Sequence, residues 1–180
     1  MTKKRQTNSV TNIKEALIEL LLEKEYSKIT ISNITQRANI SRGTFYQHFL
    51  DKNDLAYTIG NETLQKFWNI LARENLEKKN MLLEALKCIE LDFKHFKAIS
   101  QAPHVQFKSK VQQLISDIVD SNPIIKNKIK QNTKISDKII IEVFSASVET
   151  IISSWIASDL AESPDKVVDN IIKVEQLFWK

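Results

Sequence analysis

The stretch Thr30-Ile31-Ser32-Asn33-Ile34-Thr35-Gln36-Arg37-Ala38-Asn39-Ile40-Ser41-Arg42-Gly43-Thr44-Phe45-Tyr46-Gln47-His48-Phe49 decides the reading of this chain. Its spacing predicts two short helices joined by a tight turn. Thr30 is placed to cap the first, whose inner face is Ile31, Ile34 and Ala38. Asn39 stands where that helix must stop, and asparagine tolerates a left-handed C-cap better than most non-glycine residues. Ser41 then caps a helix from Arg42 to about Phe49. Phe45 and Phe49, four apart, are expected to face the core together.

The second helix carries groups suited to the DNA major groove. Ser41 fixes an N-terminus whose free N–H groups can meet a phosphate. Gly43 lets backbone approach closely. Arg42 can donate twice to guanine O6 and N7, and the Thr44 methyl can touch a thymine methyl. Gln47, one turn past Thr44, can meet a base or the backbone. Tyr46 and His48 are placed to donate to flanking phosphates, with Lys52 adding charge at the next helix start. An ordinary helix with a solvated polar face gives a similar pattern, so the set carries the reading and no single residue does.

Working outward, residues 1–8 are polar and basic (Lys3, Lys4, Arg5) and are expected to be disordered when free. A helix is expected from Ser9 to Lys24 or Glu25, with Ile13, Ala16, Leu17, Leu20 and Leu21 on one face. Tyr26 and Ile29 pack inward from the connection. Asp51 caps a fourth helix with Asp54 in its first turn. That helix runs from Lys52 toward Asn75, about 35 Å if fully formed. Beyond it the chain reads as all helical: Met81 to Ile99, Pro103 to Val119, a short basic helix from Pro123 to Gln131, Asp137 to Leu160, and a last helix opened by Ser163-Pro164-Asp165. The expected fold is all-α. A three-helix DNA-binding bundle (residues 1–51) is linked to a helical regulatory and dimerisation domain (residues 52–180).

Bulk composition agrees. The 180 residues are 42% hydrophobic, with two glycines and three prolines, so long helices meet few interruptions. The net charge is +4, and residues 1–60 supply +3 of it through nine Lys/Arg against six Asp/Glu. Between Tyr26 and Leu50 the charged residues are Lys28, Arg37 and Arg42, with no acid. That is a mild lean toward a polyanion. The single cysteine, Cys88, excludes a disulfide within the chain and suits a reduced compartment. No signal-type apolar region and no membrane span is read, so a cytoplasmic chain is expected.

The sequence resembles the TetR family of transcriptional regulators over its first 60 residues. Ser41-Arg42-Gly43-Thr44-Phe45-Tyr46-Gln47-His48-Phe49, followed by Asp51-Lys52-Asn53-Asp54-Leu55, is similar to that family's signature. So is the lead-in of Ile13, Ala16, Leu17, Leu20, Tyr26, Thr30, Ile34 and Ala38. The resemblance implies all-helical dimers, usually repressors. Thr30, Tyr46, His48 and Lys52 would touch phosphates, while Arg42, Gly43 and Thr44 approach bases. The C-terminal domain would dimerise through its last two helices and often enclose a ligand. The chain departs from the family at Glu25 and Asn39, where glycine is usual. Glu25 disfavours a left-handed cap, so its turn is expected to differ or to carry modest strain.

These readings make a homodimer the expected state, binding double-stranded DNA at a pseudo-palindromic operator. Val143, Phe144, Val148, Ile151, Ile152 and Trp155 do not fit one stripe, so that helix needs partners on several sides. They are a second subunit or the protomer's own core. The interface residues expected are Val148, Ile151, Ile152, Trp155, Val168, Ile171 and Ile172. Phe93, Phe96, Phe107 and Trp155 either line a pocket for a small-molecule effector or fill a closed core. The alternative is a DNA-binding regulator controlled by a protein partner with no small molecule. No cofactor is read. His95, His104 and Cys88 do not form a metal set. An enzyme is not expected, for the sequence holds neither a Gly-rich phosphate loop nor a catalytic constellation.

Overall fold

The computed structural model describes residues 2–71, 78–132 and 135–178. Every regular element among them is helical: α1 Thr2–Glu23, α2 Ile31–Arg37, α3 Arg42–Tyr46, α4 Lys52–Leu71, α5 Lys78–Leu91, α6 Phe93–Ser100, α7 Phe107–Ser121, α8 Pro123–Asn132, α9 Asp137–Ala157 and α10 Pro164–Phe178. Short 3₁₀ turns occupy Tyr26–Lys28 and Pro103–Val105. The side chains of Lys3, Lys4 and Arg5, and the expected end of α4 near Asn75, lie outside the described residues.

The chain divides into two compact units. One contains Met1–Leu64 and Lys94–Phe107; the other contains Gln65–Phe93 and Lys108–Lys180. The division therefore falls elsewhere than at residue 51, because the start of α4 and the segment after Phe93 share the first unit's core. In that unit Ile13, Leu17 and Ile18 of α1 are fully buried with Ile34, Phe45 and Leu55. Each large apolar side chain so enclosed contributes about 1.5–3 kcal/mol. Phe96, Ile99 and Val105 are buried in the same unit. Gly60 of α4 lies under Val105, and a Cβ there would meet Val105 Cγ1 at 2.5 Å. Charge reinforces the packing: Lys94 pairs with Glu15 at 3.1 Å, and His95 lies 3.2 Å from the same carboxylate.

In the second unit α10 packs on α9 and on α5. Phe144, Val148, Ile152, Val168 and Ile171 form its centre with Leu86, Ile89 and Ile115. Trp155 is buried and its Nε1 donates to the Glu162 carbonyl at 2.8 Å, tying α9 to the turn that starts α10.

Four expectations are corrected. α1 begins at Thr2 rather than Ser9, so residues 2–8 are helical. The single helix expected over 81–99 is two, broken at Asp92, although helical periodicity runs through the break. The segment from Pro103 is a 3₁₀ turn closed by Gln106 in a left-handed conformation (φ 53°), and α7 follows it. α9 stops at Ala157, with Asp159 and Leu160 both left-handed. α9 is also long and apolar enough, by length and composition, to cross a membrane, and about half of its most apolar stretch is buried within the protein. The core helix of a soluble protein passes the same test.

Candidate nucleic-acid interface

The site is built from three helix starts. At the first, Thr30 is the N-cap of α2, and its Oγ1 accepts from the Asn33 amide at 3.2 Å. Asn33 Oδ1 returns the bond, accepting from the Thr30 amide at 3.0 Å. This reciprocal box satisfies two of the amides a helix start leaves open. At the far end, Asn39 has φ 52° and ends the helix in the left-handed conformation expected of it.

Ser41 opens α3, accepting from the Thr44 amide at 3.0 Å, and its hydroxyl lies 2.9 Å from Thr44 Oγ1. Phe45 is fully buried and Phe49 nearly so, their ring centroids 5.9 Å apart. Both rings face the core as expected. Arg42, Gly43, Tyr46 and Gln47 are exposed, while Thr44 is half-buried. Those four sit at i, i+1, i+4 and i+5, which is one face of a helix. Regular α-helix ends at Tyr46, yet the Phe49 amide still donates to the Phe45 carbonyl at 3.0 Å. Residues 42–49 thus keep helical bonding to the expected end.

The third start is α4. Asp51 Oδ1 accepts from the amides of Asn53 at 2.7 Å and Asp54 at 2.8 Å, and Asp54 Oδ2 accepts from the Leu50 amide at 2.9 Å. Two carboxylates at a helix N-terminus complement its positive end. They also fix the chain leaving α3.

Two expected phosphate ligands are placed differently. The Lys52 ammonium donates to the carbonyls of Tyr26 and Ile29, at 2.7 Å each, and sits 4.0 Å from the Tyr26 ring centroid. Two of its three protons are thus held within the protein, and burial pushes its pKa down. His48 is half-buried, and its Nε2 is enclosed with no hydrogen-bond partner. A phosphate contact from His48 would use Nδ1 or a turned ring.

Sequence reading missed two further features. Tyr26 is a hub: its hydroxyl donates to Asn53 Oδ1 at 2.6 Å and its ring lies 5.6 Å from that of His104. Burial, then the nearby Asp51 charge, raises its pKa to about 12. Arg37, counted among the basic groups, pairs with Glu23 at 2.7 Å and Glu19 at 3.2 Å. That hydrogen-bonded guanidinium holds the Glu23 carboxyl below its usual range. Neither backbone carbonyls nor α1 acids one bundle helix away leave a signature at the residue that meets them. Glu25 shows no strain, for its φ and ψ of −56° and 141° are extended and the turn avoids the left-handed cap.

The other expected sites are scattered or already filled. Phe96 and Phe107 are buried in the first unit, whereas Phe93 and Trp155 belong to the second. None of the four lines the apolar cavity of about 80 Å³ in the second unit, which lies among α4, α5, α7, α8, α9 and α10. Of the seven expected interface residues, Val148, Ile152, Trp155, Val168 and Ile171 are buried within the protomer; only Ile151 and Ile172 keep part of their surface. Residues that face their own core have little area left for a partner. His95 and His104 stand in the first unit and Cys88 in the second. Among the described residues no cluster of three His, Cys, Asp or Glu could hold a metal ion.

A capped two-helix unit with an exposed polar face over two buried phenylalanines defines a helix-turn-helix DNA-binding regulator. Residues 13–57 match the family model for bacterial regulatory proteins of the tetR family. That match makes residues 13–57 a tetR-type DNA-binding domain. It is 32% identical over 96 residues to the HTH-type transcriptional regulator YxbF of Bacillus subtilis strain 168, a stretch covering 53% of this chain and 24% of that protein. The match thus spans about a quarter of that relative's length. Two solved structures share the fold. NalD, the secondary repressor of the MexAB-OprM multidrug efflux pump in Pseudomonas aeruginosa, superposes with a TM-score of 0.70 at 17% identity, covering 98% of each chain. A TetR transcriptional regulator from Streptococcus agalactiae 2603V superposes with a TM-score of 0.66 at 18% identity, covering 98% of this chain and 97% of that one.

Proposed function

We propose that this protein is a dimeric repressor that reads a pseudo-palindromic operator and releases it when a small molecule binds the second unit. The observation that carries the DNA-reading part is the exposed set Arg42, Gly43, Tyr46 and Gln47 over buried Phe45 and Phe49. In this reading Arg42 and Gln47 reach base edges, and Gly43 lets the backbone close on the duplex. Thr44 offers its methyl, while Ser41, Thr30, Tyr46 and His48 set the register on phosphates. Lys52 acts first as an internal clamp on the Tyr26–Ile29 turn, which holds α2 in place.

The dimer reading is supported by a stripe left uncovered along α9. Ile139 and Val143 are about half exposed. Ser147, Thr150, Ile151 and Ser154 continue the same line with full or partial exposure. Small and apolar residues spaced by three and four along about four turns suit the close approach of a second copy. Two reading heads then follow one two-fold axis, as a pseudo-palindrome requires. Repression fits what NalD is described as doing, and ligand control fits the apolar cavity in the second unit.

The test is selection of bound fragments from random duplexes, followed by sedimentation of the complex with the selected duplex. A two-fold-related sequence carrying two protein chains is the expected result. A non-symmetric site occupied by one chain would defeat the dimer reading. Recovery of no preferred sequence at moderate salt would defeat the DNA reading.

A further inference from the structure

Leu50 joins the reading segment to α4 and is 84% exposed, the most open large apolar side chain described in the first unit. A single exposed leucine is ordinary on a protein surface. This one is set apart by how firmly its backbone is held. On one side Phe49 is buried, and its amide donates to the Phe45 carbonyl at 3.0 Å. On the other, the Leu50 amide donates to Asp54 Oδ2 at 2.9 Å, while Asp51 Oδ1 accepts from the amides of Asn53 at 2.7 Å and Asp54 at 2.8 Å. A backbone pinned on both flanks points its side chain in a fixed direction, so less ordering is lost when that side chain meets a partner.

Its position limits what the side chain can meet. Leu50 lies within the DNA-binding domain. It stands three residues past Gln47 and four past Tyr46, both exposed on the reading face, and so continues that face by one turn. The turn itself is a poor phosphate ligand. A leucine side chain has no donor. The amides of Leu50, Asn53 and Asp54 are already bonded to carboxylates, and two carboxylates repel a phosphate. The apolar group that base edges present in the major groove is the thymine 5-methyl. Deoxyribose is the competing apolar surface, but reaching it would bring Asp51 and Asp54 against the flanking phosphates.

We propose that Leu50 is a specificity residue, closing over a thymine 5-methyl at the edge of each half-site, beyond the contacts of Gln47. The proposal rests on the DNA-reading assignment above and adds a base preference to it.

The probe is the operator selected from random duplexes, with each thymine replaced in turn by uracil, a change that removes only the methyl. Affinities of the full chain are measured by anisotropy at one salt concentration. At one thymine per half-site the replacement is expected to weaken the parent about four-fold, the factor for one methyl-sized group left in water. Leu50→Ala should show no response at that thymine, keep its response at every other, and bind the unmodified operator more weakly by at least the same factor. Leu50→Met, which keeps a long apolar side chain, should keep most of the response. Leu50 lies outside the core, so all three proteins should unfold at the same temperature. An affinity loss that follows a lowered unfolding temperature would overturn the reading role. So would equal responses to uracil in parent and Leu50→Ala, an equal weakening of operator and random duplex, or an operator with no thymine at that edge. A parent that selects no sequence would defeat the DNA reading and Leu50 with it; a selected operator with any of the contrary results defeats Leu50 alone.

Discussion

Lys52 and Tyr26 are joined twice: the Lys52 ammonium donates to the Tyr26 carbonyl at 2.7 Å and lies 4.0 Å from the centre of its ring. A second bond to Ile29 completes a clamp across the turn that leads into α2. A lysine committed in this way is foremost a positioning residue for the reading head. Lys52→Met is therefore expected to destabilise the protein by about 1.5–3 kcal/mol, the range for hydrogen bonds to a charged group. Chemical denaturation measures it. The salt slope of operator binding should change by well under the value of about 1 that loss of one phosphate contact gives. A full unit of slope with unchanged stability would return Lys52 to the phosphate backbone.

Tyr26 gives the same region a pH signature. Its folded pKa of about 12 lies above the ordinary tyrosine value of 10, because burial disfavours the phenolate. Between those values the unfolded chain loses a proton that the folded chain keeps, so stability falls as pH rises from about 10 to 12. Tyrosinate absorbance of the parent should contain a late step near pH 12 that Tyr26→Phe removes. Identical high-pH titration curves for the parent and Tyr26→Phe, apart from amplitude, would contradict it.

Gly60 is expected to resist even alanine. The added methyl would sit 2.5 Å from Val105 Cγ1 and 3.2 Å from its Cβ, and Val105 is fully buried with a stiff branched side chain. Overpacking should cost about 1–3 kcal/mol, exceeding the gain of about 1 kcal/mol in helix propensity. Gly60→Ala with Val105→Ala should recover much of the loss, which thermal unfolding of both variants would show. Additive losses would place the strain elsewhere.

Gly43 offers the converse test. Its Cβ would meet Ser41 Oγ at 3.6 Å, an ordinary contact, and its φ is not left-handed. Gly43→Ala is thus expected to fold as well as the parent or better. Operator affinity should nonetheless fall, since the methyl would stand between backbone and duplex. Equal affinity by anisotropy titration would mean that no close approach occurs at this residue.

The helix-turn-helix was legible because its signals are local. Thr30, Asn39 and Ser41 mark ends through their own backbone chemistry, and the Phe45–Phe49 spacing assigns the inner face. Tertiary partners were not legible. Nothing at Lys52 announces two carbonyls more than twenty residues earlier, and nothing at Arg37 announces Glu19 and Glu23. The break at Asp92 lacks proline or glycine, so periodicity alone ran through it. On α9 and α10 the apolar pattern shows that Val148, Ile152 and Ile171 need cover, but not whether a neighbouring helix or a second chain supplies it. The cavity was expected around aromatic residues. Its wall instead comes mainly from aliphatic side chains on six helices, a set without sequence adjacency.

The central claim, that residues 42–49 enter the major groove, is tested most directly by measuring base discrimination with Arg42→Ala. The selected operator and its single-base variants are titrated with both proteins at one salt concentration. The variant is expected to lose about 1–3 kcal/mol of discrimination at one position per half-site while discriminating as before elsewhere. Unchanged preference at every position, or a uniform loss across all sequences, would contradict the account.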